Sequence, residues 1–229
     1  MNHQFGTYGG SLSTPTRQNA VLRNTYWLLA LSLIPTMIGA VIGTNLDFSF
    51  LRASPIIGSL VVLGILYGWM YAIDRNSQSG LGVGLLLGFT FFTGLLLGRL
   101  LQYTLGFSNG AQLIMMAAGG TAASFFGLAA YATTTKRNLE GMGRFLMVGC
   151  IVIMLAVLAN IFFQSPVLHL VVVGAFVIFS AMMIAWQLNA IEQGGETNYV
   201  SATLSLYVSI YNLFTSLLQL LGIFGGDRD

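Results

Sequence analysis

The sequence predicts an all-α fold: a polytopic membrane protein with seven transmembrane helices. Composition and spacing carry the helix count. The chain has 229 residues, 55% of them hydrophobic and 7% charged, with a mean hydropathy of +0.79. Soluble domains carry roughly a quarter charged residues, so this chain belongs in a bilayer. Its apolar runs then fall into seven stretches, each close to the roughly 20 residues that a membrane-spanning helix requires. A third observation singles out the last stretch, which carries a polar stripe down an otherwise apolar helix.

Residues 1–20 are polar and rich in Gly, Ser and Thr, the composition of a flexible tail. The seven spans are expected at 24–44, 56–73, 81–104, 111–133, 144–163, 167–190 and 199–224. The first is too long for the apolar core of a cleaved signal, and no small-x-small site stands out after it, so it is expected to be retained. The third span repeats Gly-Leu-Leu-Leu-Gly. Its Gly80, Gly84, Gly88, Gly94 and Gly98 share an arc of about 120°. A face of small residues lets helix backbones approach closely. Because the fourth span continues with AAGGTAAS, the third and fourth are expected to pack together, a dimer interface being the alternative. Only Gln164, Ser165 and Pro166 separate the fifth and sixth spans, which reads as a tight hairpin.

Lys and Arg in short loops set orientation. An inside N-terminus places Arg17, Arg23, Arg75, Lys136, Arg137 and Arg144 inside, against Arg52, Arg99 and Arg228 outside. The C-terminus then lies outside. The loop EQGGETNY between the last two spans comes out cytoplasmic, although it holds Glu192 and Glu196 and no base.

In the seventh span Ser201, Ser205, Ser209, Asn212, Ser216 and Gln219 lie within an arc of about 80°. Polar groups in hydrocarbon need partners, so this stripe should face other helices or water. Gln187 and Ser180 share a face of the sixth span and are candidate partners for it, or lining for a polar cavity. The candidate central site is therefore Gln187, Ser205, Ser209 and Asn212, with Glu192 and Glu196 as candidate loop contacts. Arg99 is expected to snorkel to the outer interface, and His169 to sit at the start of the sixth span as an interfacial residue.

Absences exclude several classes. No carboxylate lies mid-span, so an intramembrane aspartyl protease is unsupported. No HExxH motif occurs, and the two histidines, His3 and His169, are badly placed for a metal. The one lysine, Lys136, is in a loop, where no retinal Schiff base forms. The lone Cys150 excludes a disulfide framework, and the net charge of +2 does not suggest a nucleic-acid partner. No enzyme, cofactor or metal site is expected.

The segment AIEQGGETNYVSATLSLYVSIYNLF, with VLRNTY, AAGGTA and NIFFQSPVLHL upstream, closely resembles the Bax inhibitor-1 family in its YccA-type bacterial branch. The likeness runs over nearly the whole chain and is strongest in its last third. It implies the seven-helix fold with the seventh helix surrounded by the other six. Some bacterial members are regarded as pH-sensitive calcium leak channels, gated by an Asp pair on the sixth and seventh helices tied to an Arg on the second. Here Gln187 and Ser209 stand at the Asp positions, and the second span has no Arg. Neither side chain titrates near neutral pH, so that switch is lost. The closer branch implies instead a regulator that binds the membrane-anchored protease FtsH. Such a protease pulls on unstructured ends, and residues 1–20 suit that role. Deleting the tail is expected to change the protein's turnover by the protease in a chase experiment; unchanged turnover would exclude the tail as the handle.

Overall fold

The computed structural model of the chain describes residues 15–46, 55–135 and 139–227. Seven helices follow in order: α1 (Pro15–Gly43), α2 (Pro55–Arg75), α3 (Gly80–Leu105), α4 (Gly110–Thr134), α5 (Glu140–Phe163), α6 (Pro166–Glu192) and α7 (Tyr199–Gly225). All seven contain a stretch long and apolar enough to cross a bilayer. No strand occurs among the described residues. Each predicted span falls inside its helix to within a residue, because apolar length is a direct demand of the solvent.

The largest difference lies at the N-terminus. Most of the segment read as a tail, 1–14, is outside the described residues, but 15–20 forms the first turns of α1. Pro15 occupies the first helical position, where its fixed φ favours a helix start and its missing N–H costs nothing. The helix therefore begins well before its apolar span. Inside α1, Pro35 removes one rung of the ladder, and the Ser32 and Thr36 hydroxyls bond back to the carbonyls of Leu29 and Ser32.

The most extensive interface joins α1 to α3. Its cause is glycine on both sides. A Cβ on Gly39 or Gly43 would strike the carbonyls of Phe91 or Leu95, and a Cβ on Gly94 or Gly98 would strike Thr36 or Gly43 backbone. The two backbones thus touch, and packing replaces the hydrophobic force that lipid does not supply between helices. This corrects the expected partner of the third helix: its glycines serve α1, not α4. The matching signal, Gly39-x-x-x-Gly43, was present in the first span. The five glycines on the arc also divide. Gly80 and Gly84 face open space, whereas Gly88 admits the Trp69 ring, whose Nε1 donates to the Leu85 carbonyl at 3.0 Å.

Around α7 lie α1, α2, α3, α4 and α6; α5 does not reach it among the described residues. Five neighbours rather than six surround the seventh helix, and the hairpin explains why. Gln164 takes the left-handed conformation (φ 48°), Ser165 caps α6, and Pro166 starts it. This short reversal pins α5 to the outer flank of α6, where among the described residues it touches only α6 and α2.

Gly94→Val is expected to destabilise the fold by about 1–3 kcal/mol through overpacking. Gly64→Val, at a glycine with open space around it, is expected to change stability by less than about 0.5 kcal/mol. Thermal melting in detergent compares the two.

Candidate functional site

The loop that joins α6 to α7 is built by its own polar groups. Gly194 takes a positive φ of 76°, which returns the Gly195 N–H to the Ala190 carbonyl at 2.8 Å and closes the end of α6. Asn198 then caps α7, its Oδ1 accepting from Val200 N and Ser201 N at 2.8 and 3.2 Å. The Glu196 Oε1 accepts from Asn198 N at 2.8 Å. Glu196 is therefore a structural member of the turn as well as a loop charge, while Glu192 is the last residue of α6. Asp74, at the end of α2, accepts from the Ser201 hydroxyl at 2.7 Å and ties this end of α7 to a third helix. Asn189 does the same for α5, its Oδ1 accepting from Leu139 N at 2.9 Å.

One and two turns further into the bundle, the polar stripe meets α6. Gln187 is 6% exposed and Ser209 is 5% exposed, and Ser209 Oγ lies 3.2 Å from Gln187 Oε1. Ser209 Oγ also lies 3.0 Å from the Ser205 carbonyl. A single hydroxyl proton cannot serve two acceptors at full strength. Turning the Gln187 amide so that its nitrogen donates to Ser209, while Ser209 donates to Ser205, satisfies both bonds. Either way the contact is neutral. It holds α6 against α7, and it has no proton to lose near neutral pH.

The stripe opens into a cavity at each end. At the loop end, a cleft of about 300 Å³ is lined by Gln187, Asn189, Gln193, Glu196 and Ser205, with Trp186 in its wall. Three of the residues singled out in the sequence, Gln187, Ser205 and Glu196, thus meet in one place. At the other end, a cavity of about 590 Å³ is lined by Tyr103, Thr104, His169 and Gln219 among others. The middle is closed. Leu213, Ser216 and Leu218 are buried, and Asn212 is half-buried. Ser180 is buried too, but its hydroxyl has no hydrogen-bond partner among the described residues, so of the two α6 candidates only Gln187 engages the stripe. Arg99 is exposed, as a snorkelling side chain requires.

The sequence reading missed Tyr207, on the opposite face of α7. Its buried hydroxyl lies 2.8 Å from Thr36 Oγ1 of α1 and 2.6 Å from Thr93 Oγ1 of α3. Tyr211 stacks on its ring at 6.1 Å and donates to the Thr93 carbonyl at 3.1 Å. Phe89 meets the same ring edge-on. A Tyr pair one turn apart, at Tyr207 and Tyr211, is the signal that could have flagged this junction.

The seven helices, with the polar α7 packed among five of the others, define a multi-pass α-helical membrane bundle whose inner side-chain contacts are neutral hydrogen bonds. The chain belongs to the Bax inhibitor-1 family: the family model described as inhibitor of apoptosis-promoting Bax1 matches residues 18–226. It is 43% identical over 212 residues to an uncharacterized protein of Neisseria meningitidis serogroup A, covering 92% of this chain and 93% of the relative. It is 42% identical to an uncharacterized protein of Pseudomonas aeruginosa, covering 99% and 100%. It is also 41% identical over 207 residues to the modulator of FtsH protease YccA of Escherichia coli K12, covering 90% and 91%.

Tyr207→Phe is expected to cost about 0.6–1.7 kcal/mol, the range for interhelical hydrogen bonds in membranes. Tyr207→Ala is expected to cost about 3–5 kcal/mol by leaving a cavity. Equilibrium unfolding in mixed micelles measures both.

Proposed function

We propose that this protein is a non-enzymatic regulator of the bacterial inner membrane that binds an FtsH-type membrane protease and restrains its action on membrane substrates. The observation that carries this reading is the full-length similarity to YccA, named as a modulator of FtsH protease. The same protein in a second Escherichia coli strain is named an inner membrane protein, which supports the location. The N-terminus is assigned to the cytoplasm and the C-terminus to the periplasm from the distribution of Lys and Arg.

The chemistry of α6 and α7 supports the regulator over a calcium leak. A carboxylate pair titrates because two like charges in contact resist joint ionisation. The Gln187–Ser209 contact has no such charge to offer a passing cation. The bundle works, in this reading, as a fixed scaffold in the bilayer whose outer helix faces and cytoplasmic elements make the protein contacts.

Overexpression is expected to slow degradation of a membrane substrate by the protease by several-fold, and the two proteins should co-purify in mild detergent. Reconstituted vesicles are expected to show no calcium flux between pH 6 and 8. Robust flux together with no protease association would reverse the assignment.

A further inference from the structure

The cleft at the loop end of α6 and α7 is chemically one-sided. Its polar lining consists of the carboxamides of Gln187, Asn189 and Gln193, the Ser205 hydroxyl and the Glu196 carboxylate, and among the described residues no basic side chain lines it. The last turn of α6 forms one wall, so the negative end of a helix dipole adds to the field. The positive end of α7 stands nearby, but Asn198 accepts from the Val200 and Ser201 N–H groups, and Asp74 bonds the Ser201 hydroxyl. Glu196 is half-buried and spends Oε1 on Asn198 N, which leaves its second oxygen for a ligand. Such a lining repels anions and would waste a carboxylate on a neutral molecule.

A metal ion does not fit either. Among the described residues no group of three His, Cys, Asp or Glu could hold one, and about 300 Å³ is far larger than a bare ion needs. The volume suits a short alkyl stem with a charged head. The loop also departs from the usual charge rule, with two acids and no base on the side assigned to the cytoplasm.

We propose that this cleft binds an organic cation, an ammonium or guanidinium on an alkyl stem, with Glu196 as counter-ion and Gln187, Gln193 and Ser205 as hydrogen-bond acceptors. The proposal stands apart from the protease assignment, since it rests only on the lining of the cleft. Two sources share this chemistry: a Lys or Arg side chain of a partner protein, and a free polyamine.

The full chain in phosphatidylcholine nanodiscs is titrated with butylguanidinium, its neutral isostere butylurea, putrescine and a five-residue peptide with one internal lysine. Binding is read by saturation-transfer NMR. The cations are expected to bind at least about tenfold more tightly than butylurea. Glu196→Gln keeps the acceptor for Asn198 N–H and hence the turn, yet should weaken cation binding by about tenfold or more. Glu192→Gln, outside the lining, should leave it unchanged. Ser205→Leu, at an exposed position in the cleft, should fill the site and abolish binding without altering the melting temperature. A tighter peptide identifies a partner side chain, and tighter putrescine identifies a free polyamine; either supports the site. Equal binding of butylurea, or equal effects of Glu196→Gln and Glu192→Gln, overturns it.

Discussion

Gly39 and Gly43 of α1 lie against α3 so closely that a methyl group could not fit between the backbones, and Gly94 and Gly98 return the same contact from the other side. Most of the bundle depends on this approach. In lipid there is no hydrophobic force to draw helices together, so close packing and hydrogen bonds must do it. Once α1 and α3 are joined, Thr36 and Thr93 stand at the same level, and Tyr207 of α7 reaches both. The central helix is thereby fixed to a two-helix wall on one face, leaving its serine face for α6.

That division of α7 into two faces accounts for its chemistry. The tyrosine face is closed: Tyr207, Tyr211, Thr36 and Thr93 bond one another beside the buried Phe89 and Leu86. The serine face is looser, with one neutral side-chain contact at Gln187–Ser209 and a cavity at each end. A bundle with one rigid and one open side can present a constant shape in the bilayer while a small cleft stays accessible at the loop end.

The α6–α7 turn ties the loop end together. Asp74 bonds α2 to α7 and Asn189 bonds α6 to the residue before α5, while Glu196 and Asn198 bond within the turn and cap α7. At the opposite end, Asn109 Nδ2 donates to the Gly225 carbonyl at 2.6 Å and its Oδ1 accepts from Asp227 N, so the chain end is held to the α3–α4 loop.

The sequence alone determined the seven spans, the hairpin at Gln164–Pro166 and the polar stripe of α7, because each follows from local demands. Apolar length answers the bilayer, Pro suits the first position of a helix, and 3.6-residue periodicity sorts a helix's faces. Periodicity offered Gln187 as a partner for the serine stripe, but Ser209 as its particular mate was legible only through the family resemblance, since no local rule pairs residues 22 apart. Tertiary structure decided the rest. Glycine stripes announce that a helix packs closely but not against which partner, so the meeting of α3 with α1 could not be read from α3. Tyr207 looks like any interfacial aromatic until Thr36 and Thr93 converge on it from 171 and 114 residues away. Which helix is excluded from the centre was also a matter of space: the α5–α6 reversal is too short to let α5 go anywhere but the flank.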